Sequence, residues 1–190
     1  YFAHLNRLGL NTVLAPVSWE LIEPQEGVFD MSTVDNLLTE ARKNDLKVVV
    51  LWFGAWKNSM SCYAPEWFKR DTKRFPRAHT MDGMPVEEAS SLSRNVLEAD
   101  KKAFCKIMEY LRDNDKEQTV VMVQVENEIG MINVPRDYSD DASKLYNSPV
   151  PQSLTDFLNK NKKSLHPYIS ERYKPIGKSQ TWAEMFGNDM

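Results

Sequence analysis

Apolar residues follow two different spacings along this chain. Three short segments are apolar at almost every position, whereas two longer segments carry apolar residues three or four positions apart. Continuous apolar runs are typical of strands covered on both faces, and the wider spacing is typical of a helix with one buried face. The predicted elements, in chain order, are a strand over Asn11–Val17, a helix over Met31–Asn44, a strand over Lys47–Phe53, a helix over Asn95–Asp113 and a strand over Thr119–Glu126.

Boundary signals support this order of elements. Gly9 follows a short helical pattern and is suited to close it, Ser32 is a candidate N-cap, and the Asn95 to Glu98 spacing resembles a capping box. Strands that alternate with amphipathic helices build parallel sheets from right-handed βαβ units. The predicted fold class is therefore α/β, with parallel strands and amphipathic helices.

Two long segments are rich in loop-forming residues. One covers positions 57–93, directly after the second strand, and the other begins after Gly130 and leads to a predicted helix near Ser153–Lys163. A further helix is predicted to start over Thr181–Phe186. Loops of this length inside a compact domain usually carry function, so both segments are candidate parts of a site.

The composition excludes several classes of protein. Of the 190 residues, 42% are hydrophobic and 27% are charged, which suits a water-soluble globular domain. The net charge of −3 gives no bulk electrostatic reason to expect a nucleic-acid partner or an anionic membrane. The longest apolar stretch, Val48–Ala55, is too short to span a bilayer. Cys62 and Cys105 are spaced unlike a disulfide framework or a zinc site, so two isolated thiols are expected.

Aromatic and carboxylate residues stand where the three predicted strands end. These residues are Trp19, Glu20, Trp56, Asn127 and Glu128. Parallel α/β sheets and barrels place ligands at the carboxyl ends of their strands. Pyranose rings stack on aromatic planes and their hydroxyls need polar partners, so this set predicts a carbohydrate site. The sequence contains no GxGxxG, P-loop or HExxH pattern, and neither a cofactor nor a metal is expected.

The last predicted strand carries costly polar residues in an apolar run. Strand parity places Gln124, Glu126 and Glu128 on one face, with Glu126 one layer deeper than Glu128. Glu128 fits the protonated carboxyl group that glycoside hydrolysis requires, while Glu126 and Gln124 fit supporting roles. The same parity turns Asn127 away from Glu128, so the strand must twist or bulge if both contact substrate. The alternative to a catalytic role is a structural one, in which Glu126, Asn127 and Glu128 form a helix cap and a surface salt-bridge cluster.

Residues 124–130, QVENEIG, resemble the QVENEYG signature of the β-galactosidases of glycoside hydrolase family 35, with Ile129 in place of Tyr. The resemblance covers residues 1 to about 133, and the overall layout is also similar to that of family 42 β-galactosidases of the same clan. The upstream residues that carry it are Asn11-Thr12-Val13, Trp19, Glu23-Pro24-Gln25, Gly27, Phe29-Asp30, Leu51, Gly54, Trp56, Pro65 and Trp67-Phe68.

This resemblance implies a retaining β-glycosidase on a (β/α)₈ TIM barrel. Glu128 would then act as the general acid and afterwards as the base, and Asn127 would bind the hydroxyl next to the anomeric carbon. The nucleophile of such enzymes is a second Glu on a later strand, which this chain does not reach. Residues 1–190 are therefore predicted to be a partial catalytic domain, truncated at both ends and inactive by itself.

Several departures from the family pattern lie where the sugar is recognised. Pro16 stands where a sugar-contacting Tyr is usual, and Glu20 stands where Asn is usual. The expected substrate is a terminal β-D-galactoside or a related β-linked sugar, and a secreted or periplasmic setting is implied by the resemblance alone. Two alternatives remain open: a carbohydrate-binding relative that has lost catalysis, and an unrelated parallel α/β domain with a structural Glu cluster. The linkage and the oligomeric state are not predicted.

Overall fold

A computed structural model describes residues 2–58, 60–128, 130–131, 134–174 and 179–187 of the chain. The strands are β1 (Thr12–Ser18), β2 (Lys47–Lys57), β3 (Arg77–His79), β4 (Pro85–Ala89) and β5 (Val120–Asn127). The helices are α1 (Phe2–Arg7), α2 (Trp19–Ile22), α3 (Ser32–Lys43), α4 (Glu66–Arg70), α5 (Arg94–Asn114), α6 (Asp140–Tyr146), α7 (Gln152–Lys160), α8 (Pro167–Arg172) and α9 (Trp182–Phe186), with a 3₁₀ turn at Lys162–Ser164.

Three of the strands form one parallel sheet in the order β1-β2-β5. Helix α3 connects β1 to β2, and the long helix α5 leads from the β3–β4 region into β5. This arrangement confirms the predicted α/β class with parallel strands and amphipathic helices. It also brings the carboxyl ends of the three strands to the same edge of the sheet, where the site residues were expected.

The main core lies where the sheet meets helices α3 and α5. Side chains that alternate along β2 are buried, and apolar residues spaced along the two helices pack against them. The buried residues of these elements include Val48, Val50, Trp52, Val34, Leu38, Ala41, Val96, Ala103 and Ile107. The predicted apolar face of α3 is thus confirmed. In α5, Ile107 and Leu111 are buried as predicted, but Leu97 and Met108, which were predicted on the same face, are 55% and 38% exposed.

Strand β5 differs from the prediction of a strand buried on both faces. Val121, Met122 and Val125 are 55%, 63% and 61% exposed. In the described part of the chain, β5 is the edge strand of the sheet and pairs only with β2. Its apolar run therefore has one neighbour instead of two, and much of it faces solvent.

Local boundaries also depart from expectation. β2 continues through Gly54 and Trp56 to Lys57, so these residues lie within the strand and not after it. Ser32 is the first residue of α3, not its N-cap, and its backbone N–H donates to the Asp30 carboxylate at 2.8 Å. α5 has Ser93 as its N-cap without a side-chain cap bond, so the predicted capping box at its start is absent.

The predicted loop over positions 57–93 contains the antiparallel hairpin β3–β4 and the short helix α4. A later loop is fastened to this hairpin through Asp137, whose carboxylate accepts hydrogen bonds from the His79 backbone N–H at 3.0 Å and the Ser90 hydroxyl at 2.6 Å. The loop segments are therefore ordered by polar contacts that the hydrophobic pattern does not report.

The part of the chain after residue 134 has a small core of its own. Its buried residues are Val150, Leu158, Tyr173, Met185 and Phe186. The predicted helices near Ser153–Lys163 and Thr181–Phe186 correspond to α7 and α9, and α9 opens with a capping box between Thr181 and Glu184. None of the described helices is long and apolar enough to cross a membrane.

Candidate active site

The pairing between β2 and β5 is interrupted at their carboxyl ends. Trp52 pairs with Val125, and the next pair is Lys57 with Asn127, so the segment 53–56 of β2 faces Glu126 alone. Glu126 adopts a left-handed backbone conformation with a φ of 63°. A twist or bulge at this place is what a shared site of Asn127 and Glu128 would require, and the role of the two residues stays a prediction.

A pair of carboxyl groups fills the inside of this bulge. Asp100, on α5, accepts hydrogen bonds from the Trp52 indole N–H at 2.8 Å and from the Ala55 backbone N–H at 2.9 Å. The Glu126 carboxyl accepts from the Trp56 backbone N–H at 3.1 Å and is hydrogen-bonded to Asp100. Two carboxyl groups can share such a bond only if one of them holds a proton.

Gly54 makes room for the carboxyl pair. A Cβ atom at this position would lie 2.5 Å from Asp100 Oδ1, from Glu126 Oε1 and from Trp52 Nε1. These distances are far below van der Waals contact, so any side chain at position 54 would displace the pair. Glycine is therefore required here by close approach of other groups.

Burial raises the pKa of Glu126 to about 10, and the hydrogen bond to Asp100 and the charge of Asp100 act in the same direction. Backbone N–H groups of Trp56 and Gly54 oppose this shift. Burial and the neighbouring Asp100 carboxylate thus favour the protonated, neutral form of Glu126 by raising its pKa. The supporting role predicted for Glu126 stays a prediction, now with a defined partner that the sequence did not reveal.

Side-chain amides continue the network toward the end of the strand. Gln124 Nε2 donates to Asn127 Oδ1 and to the Glu126 carbonyl, both at 3.0 Å. Asn127 Nδ2 donates in turn to Asn58 Oδ1 at 2.9 Å, and Asn58 Oδ1 also accepts from Lys57 Nζ. The amide of Asn127 is thus held between two strands, with part of its surface accessible.

Glu128 follows directly after β5 and is exposed. Its backbone is left-handed, with a φ of 50°, so the chain turns sharply at this residue. No other described residue forms a hydrogen bond or ion pair with its carboxyl group. Glu128 is therefore accessible to an incoming substrate, in contrast to Glu126.

The structure corrects the role predicted for Trp19. This residue is fully buried, its indole N–H donates to the Glu23 carboxylate at 2.9 Å, and its ring lies 4.9 Å from that of Phe68 between centroids. A fully buried ring offers no face on which a sugar can stack. Glu20 lies beside it in α2 and keeps a partly exposed carboxylate, 3.9 Å from Lys69 Nζ.

Trp56 is 6% exposed and borders two hollows. The larger has a volume of about 490 Å³ and is also lined by Gly130, Met131, Tyr146 and Trp182. The smaller, of about 320 Å³, lies beside the Asp100 and Glu126 carboxyl groups. That Trp56 contacts a sugar stays a prediction, since little of its side chain is exposed.

A still larger hollow, of about 740 Å³, lies between the β3–β4 hairpin and α6 and contains none of the predicted site residues. Its volume alone does not make it the active site, since the carboxyl and amide groups with suitable chemistry are elsewhere. Among the described residues, no three His, Cys, Asp or Glu side chains are grouped so that they could hold a metal ion.

Sequence reasoning missed three residues of this region. Asp100 is one of many charged residues on α5, and no local pattern distinguishes it. Asn58 lay in a predicted loop. Glu23 is 1% exposed and accepts hydrogen bonds from Trp19 and from the Gly27 backbone N–H, and its only sequence signal was its place in the family motif.

The fold and the strand-end carboxyl groups define the class to which this chain belongs. Three parallel strands with helices between them, and the predicted site residues at their carboxyl ends, form part of a (β/α)₈ barrel. The chain belongs to glycoside hydrolase family 42, because the family model described as beta-galactosidase matches residues 2–188. The predicted resemblance is thus confirmed through family 42.

Solved structures with the same fold include two β-galactosidases. The enzyme from Halorubrum lacusprofundi is 20% identical with a TM-score of 0.60, and the match covers 90% of this chain and 25% of that one. The enzyme from Bacillus circulans sp. alkalophilus is 16% identical with a TM-score of 0.59, and the match covers 99% of this chain and 25% of that one.

An exo-β-1,4-mannosidase from Opitutaceae bacterium strain TAV5 is also similar, at 19% identity and a TM-score of 0.50, over 67% of this chain and 20% of that one. The chain therefore spans a quarter or less of the length of these relatives. No significantly similar sequence was found among curated proteins. Membership of the family excludes the alternative of an unrelated α/β domain.

Proposed function

We propose that the protein containing this chain is a retaining β-glycosidase that releases terminal β-D-galactose, or a related β-linked sugar, from oligosaccharides or polysaccharides. The observation that carries the proposal is the Asn127-Glu128 pair at the carboxyl end of β5 in a member of family 42. Glu128 is accessible and has no described partner that would compete for its proton. We further propose that the nucleophile lies outside these 190 residues and that the chain alone does not turn over substrate.

In the proposed reaction, the protonated Glu128 carboxyl group donates its proton to the glycosidic oxygen as the bond to the anomeric carbon breaks. The nucleophilic carboxylate bonds to that carbon, and the leaving group departs as a neutral alcohol. Ionised Glu128 then removes a proton from water, whose oxygen displaces the enzyme carboxylate and regenerates both groups. Asn127 would hold a sugar hydroxyl beside the reacting carbon.

The hollow of about 490 Å³ is the proposed place of the leaving group. Gly130 and Met131, two and three positions after Glu128, line one side of it, and the aromatic rings of Trp56, Tyr146 and Trp182 line other parts. Aromatic side chains next to a proton donor suit the apolar face of a second sugar or an aryl group. β-Galactosidase names among the structural relatives favour galactose, and the mannosidase is the reason to test other sugars.

The decisive test is a kinetic comparison of Glu128→Ala with the wild type in the complete protein that contains this chain. Loss of a general acid should lower kcat for poor leaving groups by about 10²–10⁴-fold, and far less for activated aryl glycosides. Azide should partly restore turnover of the aryl substrates by replacing water at the covalent intermediate. Glu87→Ala, a change of an exposed Glu on β4, is the matched control and should have no effect.

Proton NMR of the first product should show retained anomeric configuration, since inversion would contradict the proposed two-step reaction. Unchanged kinetics in Glu128→Ala would refute the role of Glu128. Sugar binding without turnover by the wild-type protein would instead favour the carbohydrate-binding relative that has lost catalysis.

A further inference from the structure

We infer that Asp100 and Glu126 act as one proton-sharing carboxyl pair, which fixes the bulge between β2 and β5 and thereby positions Asn127 and Glu128. Asp100 carries the negative charge of the pair and Glu126 carries the proton. Both are positioning residues that have no contact with substrate. The kinetic part of this inference rests on the proposed function of Glu128.

The first support is that the two carboxyl groups accept hydrogen bonds from the N–H groups at the bulge. Three N–H groups of β2, from the Trp52 indole and from the backbones of Ala55 and Trp56, donate to the two carboxyl groups within 3.1 Å. In the described part of the chain, no buried side-chain N or O atom lacks a hydrogen-bond partner. Removing either carboxyl group would leave a backbone or indole donor unpaired where β2 leaves its regular register.

The second support is the backbone that the pair must hold. Glu126 and Glu128 both have positive φ, at 63° and 50°, which costs free energy for residues with a Cβ. Such a conformation persists only when surrounding contacts fix it. The side chain of Glu126, bonded to Trp56 N–H and to Asp100, provides this fixation at the first of the two residues.

The position of the proton follows from the donors around each group. Both oxygens of Asp100 accept hydrogen bonds from N–H groups, so Asp100 suits the ionised form. Glu126 accepts at Oε2 from the Trp56 N–H, and the Gly54 N–H acts on this carboxyl group more weakly. Its other oxygen lies on the side of Gly54 where Asp100 Oδ1 is found. Protonated Glu126 can therefore donate to Asp100, in agreement with its raised pKa.

No lysine near the pair takes over the role of this proton in reducing the repulsion between the two carboxyl groups. Lys101, on α5, lines the same hollow as the pair, but its ammonium group lies 3.2 Å from Glu98. Lys57, at the end of β2, is held over the Phe53 ring and beside Asn58. Glu128, the next carboxylate on this edge, is exposed and has no described contact with the pair.

Two amide substitutions, each close in size to the residue it replaces, distinguish the members of the pair in the complete protein. Glu126→Gln keeps a donor toward Asp100 and an acceptor for Trp56 N–H, so kcat and KM should stay within about twofold of wild type. Asp100→Asn replaces an acceptor by an NH₂ group that must face an N–H donor. It should lower kcat by about 100-fold with a small change in KM, as expected for a displaced catalytic group.

Asp113→Asn, on the exposed side of the same helix, is the matched control and should leave both constants unchanged. Equal losses in Glu126→Gln and Asp100→Asn would overturn the inference, and so would wild-type kinetics in Asp100→Asn. The asymmetry between the two single variants therefore decides this part of the test.

A second measurement does not depend on catalysis or on the folding of Asp100→Asn. Carbon-13 NMR of glutamate carboxyl groups in the wild-type protein should show one signal that stays at the protonated shift from about pH 6 to beyond about pH 9, because the pKa of Glu126 is raised, and that is missing in Glu126→Gln. Titration of that signal near the ordinary pKa of Glu would refute the pair. Failure of the Glu128→Ala test with this signal present would refute the proposed function and leave the shared proton intact.

Discussion

The inside of the β2–β5 bulge and the strand end just beyond it contain the same residue type in opposite surroundings. Glu126 is held by the Trp56 backbone N–H and by Asp100, whereas Glu128, two positions later, is exposed and has no described partner. A carboxyl group whose hydrogen-bonding capacity is used by the protein can fix geometry. A group left accessible can exchange a proton with a substrate.

The two tryptophans predicted as sugar platforms repeat this contrast. Trp19 lies wholly inside the core and donates a hydrogen bond to Glu23, while Trp56, although largely buried, lines two hollows. Residue type at a strand end therefore indicates where a site lies. The surroundings decide which members of the set can reach a ligand.

The largest expected effect of this contrast is on the pH dependence of stability. Folded Glu126, with its pKa raised to about 10, keeps its proton far into the alkaline range, whereas the unfolded chain releases it near the ordinary pKa of 4.5. The folded state thus binds more protons in this window, so its stability falls as the pH rises, by at most about 1.4 kcal/mol per pH unit. The contribution is fully present below the unfolded pKa and is lost as the pH rises through the folded one.

The measurement is urea unfolding of wild type and Glu126→Gln at a series of pH values. The difference in the free energy of unfolding, wild type minus variant, should decrease steadily from acid to alkaline pH. A difference that is independent of pH would show that Glu126 ionises normally in the folded protein.

The next largest effect is expected for Gly54→Ala. Its Cβ would meet three polar atoms of the bulge at 2.5 Å, so the carboxyl pair must move and the free energy of unfolding should fall by about 3 kcal/mol. Gly83→Ala is the control, since nothing lies within 4 Å there and only the positive φ of 82° opposes the change. Chemical denaturation of both variants checks the order, and an equal or larger loss in Gly83→Ala contradicts it.

A smaller loss is expected for Glu126→Ala. The change leaves the Trp56 backbone N–H without its acceptor and Asp100 without its proton donor, and should lower the free energy of unfolding by about 1–3 kcal/mol at pH 7. Thermal or urea unfolding measures it. Glu126→Gln retains both contacts and should recover most of the loss; a similar loss in the two variants would argue for a purely steric role.

The smallest effect on stability should come from Glu128→Ala. The side chain is exposed and makes no described hydrogen bond or ion pair, so the free energy of unfolding should change by less than about 0.5 kcal/mol. The same variant is expected to lose most of its activity on poor leaving groups. Destabilisation comparable to that of Glu126→Ala would contradict the conclusion that Glu128, unlike Glu126, makes no stabilising contact.

Much of the framework follows from local patterns. The alternation of strands and helices and the apolar face of α3 were predicted, because the periods of apolar residues are local properties. A twist or bulge before Glu128 was expected only if Asn127 and Glu128 both contact substrate, and the apolar face of α5 was predicted only in part. The β3–β4 hairpin and the helices α2 and α4 were missed, since they are short. The hairpin is also held by contacts from a distant part of the chain, such as those of Asp137 with His79 and Ser90.

In the candidate site, too, local motifs indicated some residues, whereas contacts between distant parts of the chain could not be predicted. Family motifs singled out Asn127 and Glu128 by position, and also Glu23, whose buried contacts with Trp19 and Gly27 the motif could not describe. Asp100 was missed because it lies 26 positions before Glu126 on a helix rich in charged residues, and its meeting with that residue depends on how α5 packs against β2.

The sequence by itself determined the class of fold and the resemblance to β-galactosidases of one clan, and it predicted the edge of the sheet at which the chemistry lies, because apolar periodicity and short motifs are written in consecutive residues. Only the tertiary structure decided that Trp19 is core, that Gly54 is required by close approach and that the Glu126 carboxyl group lies beside that of Asp100. Burial and hydrogen-bond partners are properties of groups brought together from distant parts of the chain, so a single residue's identity does not fix them.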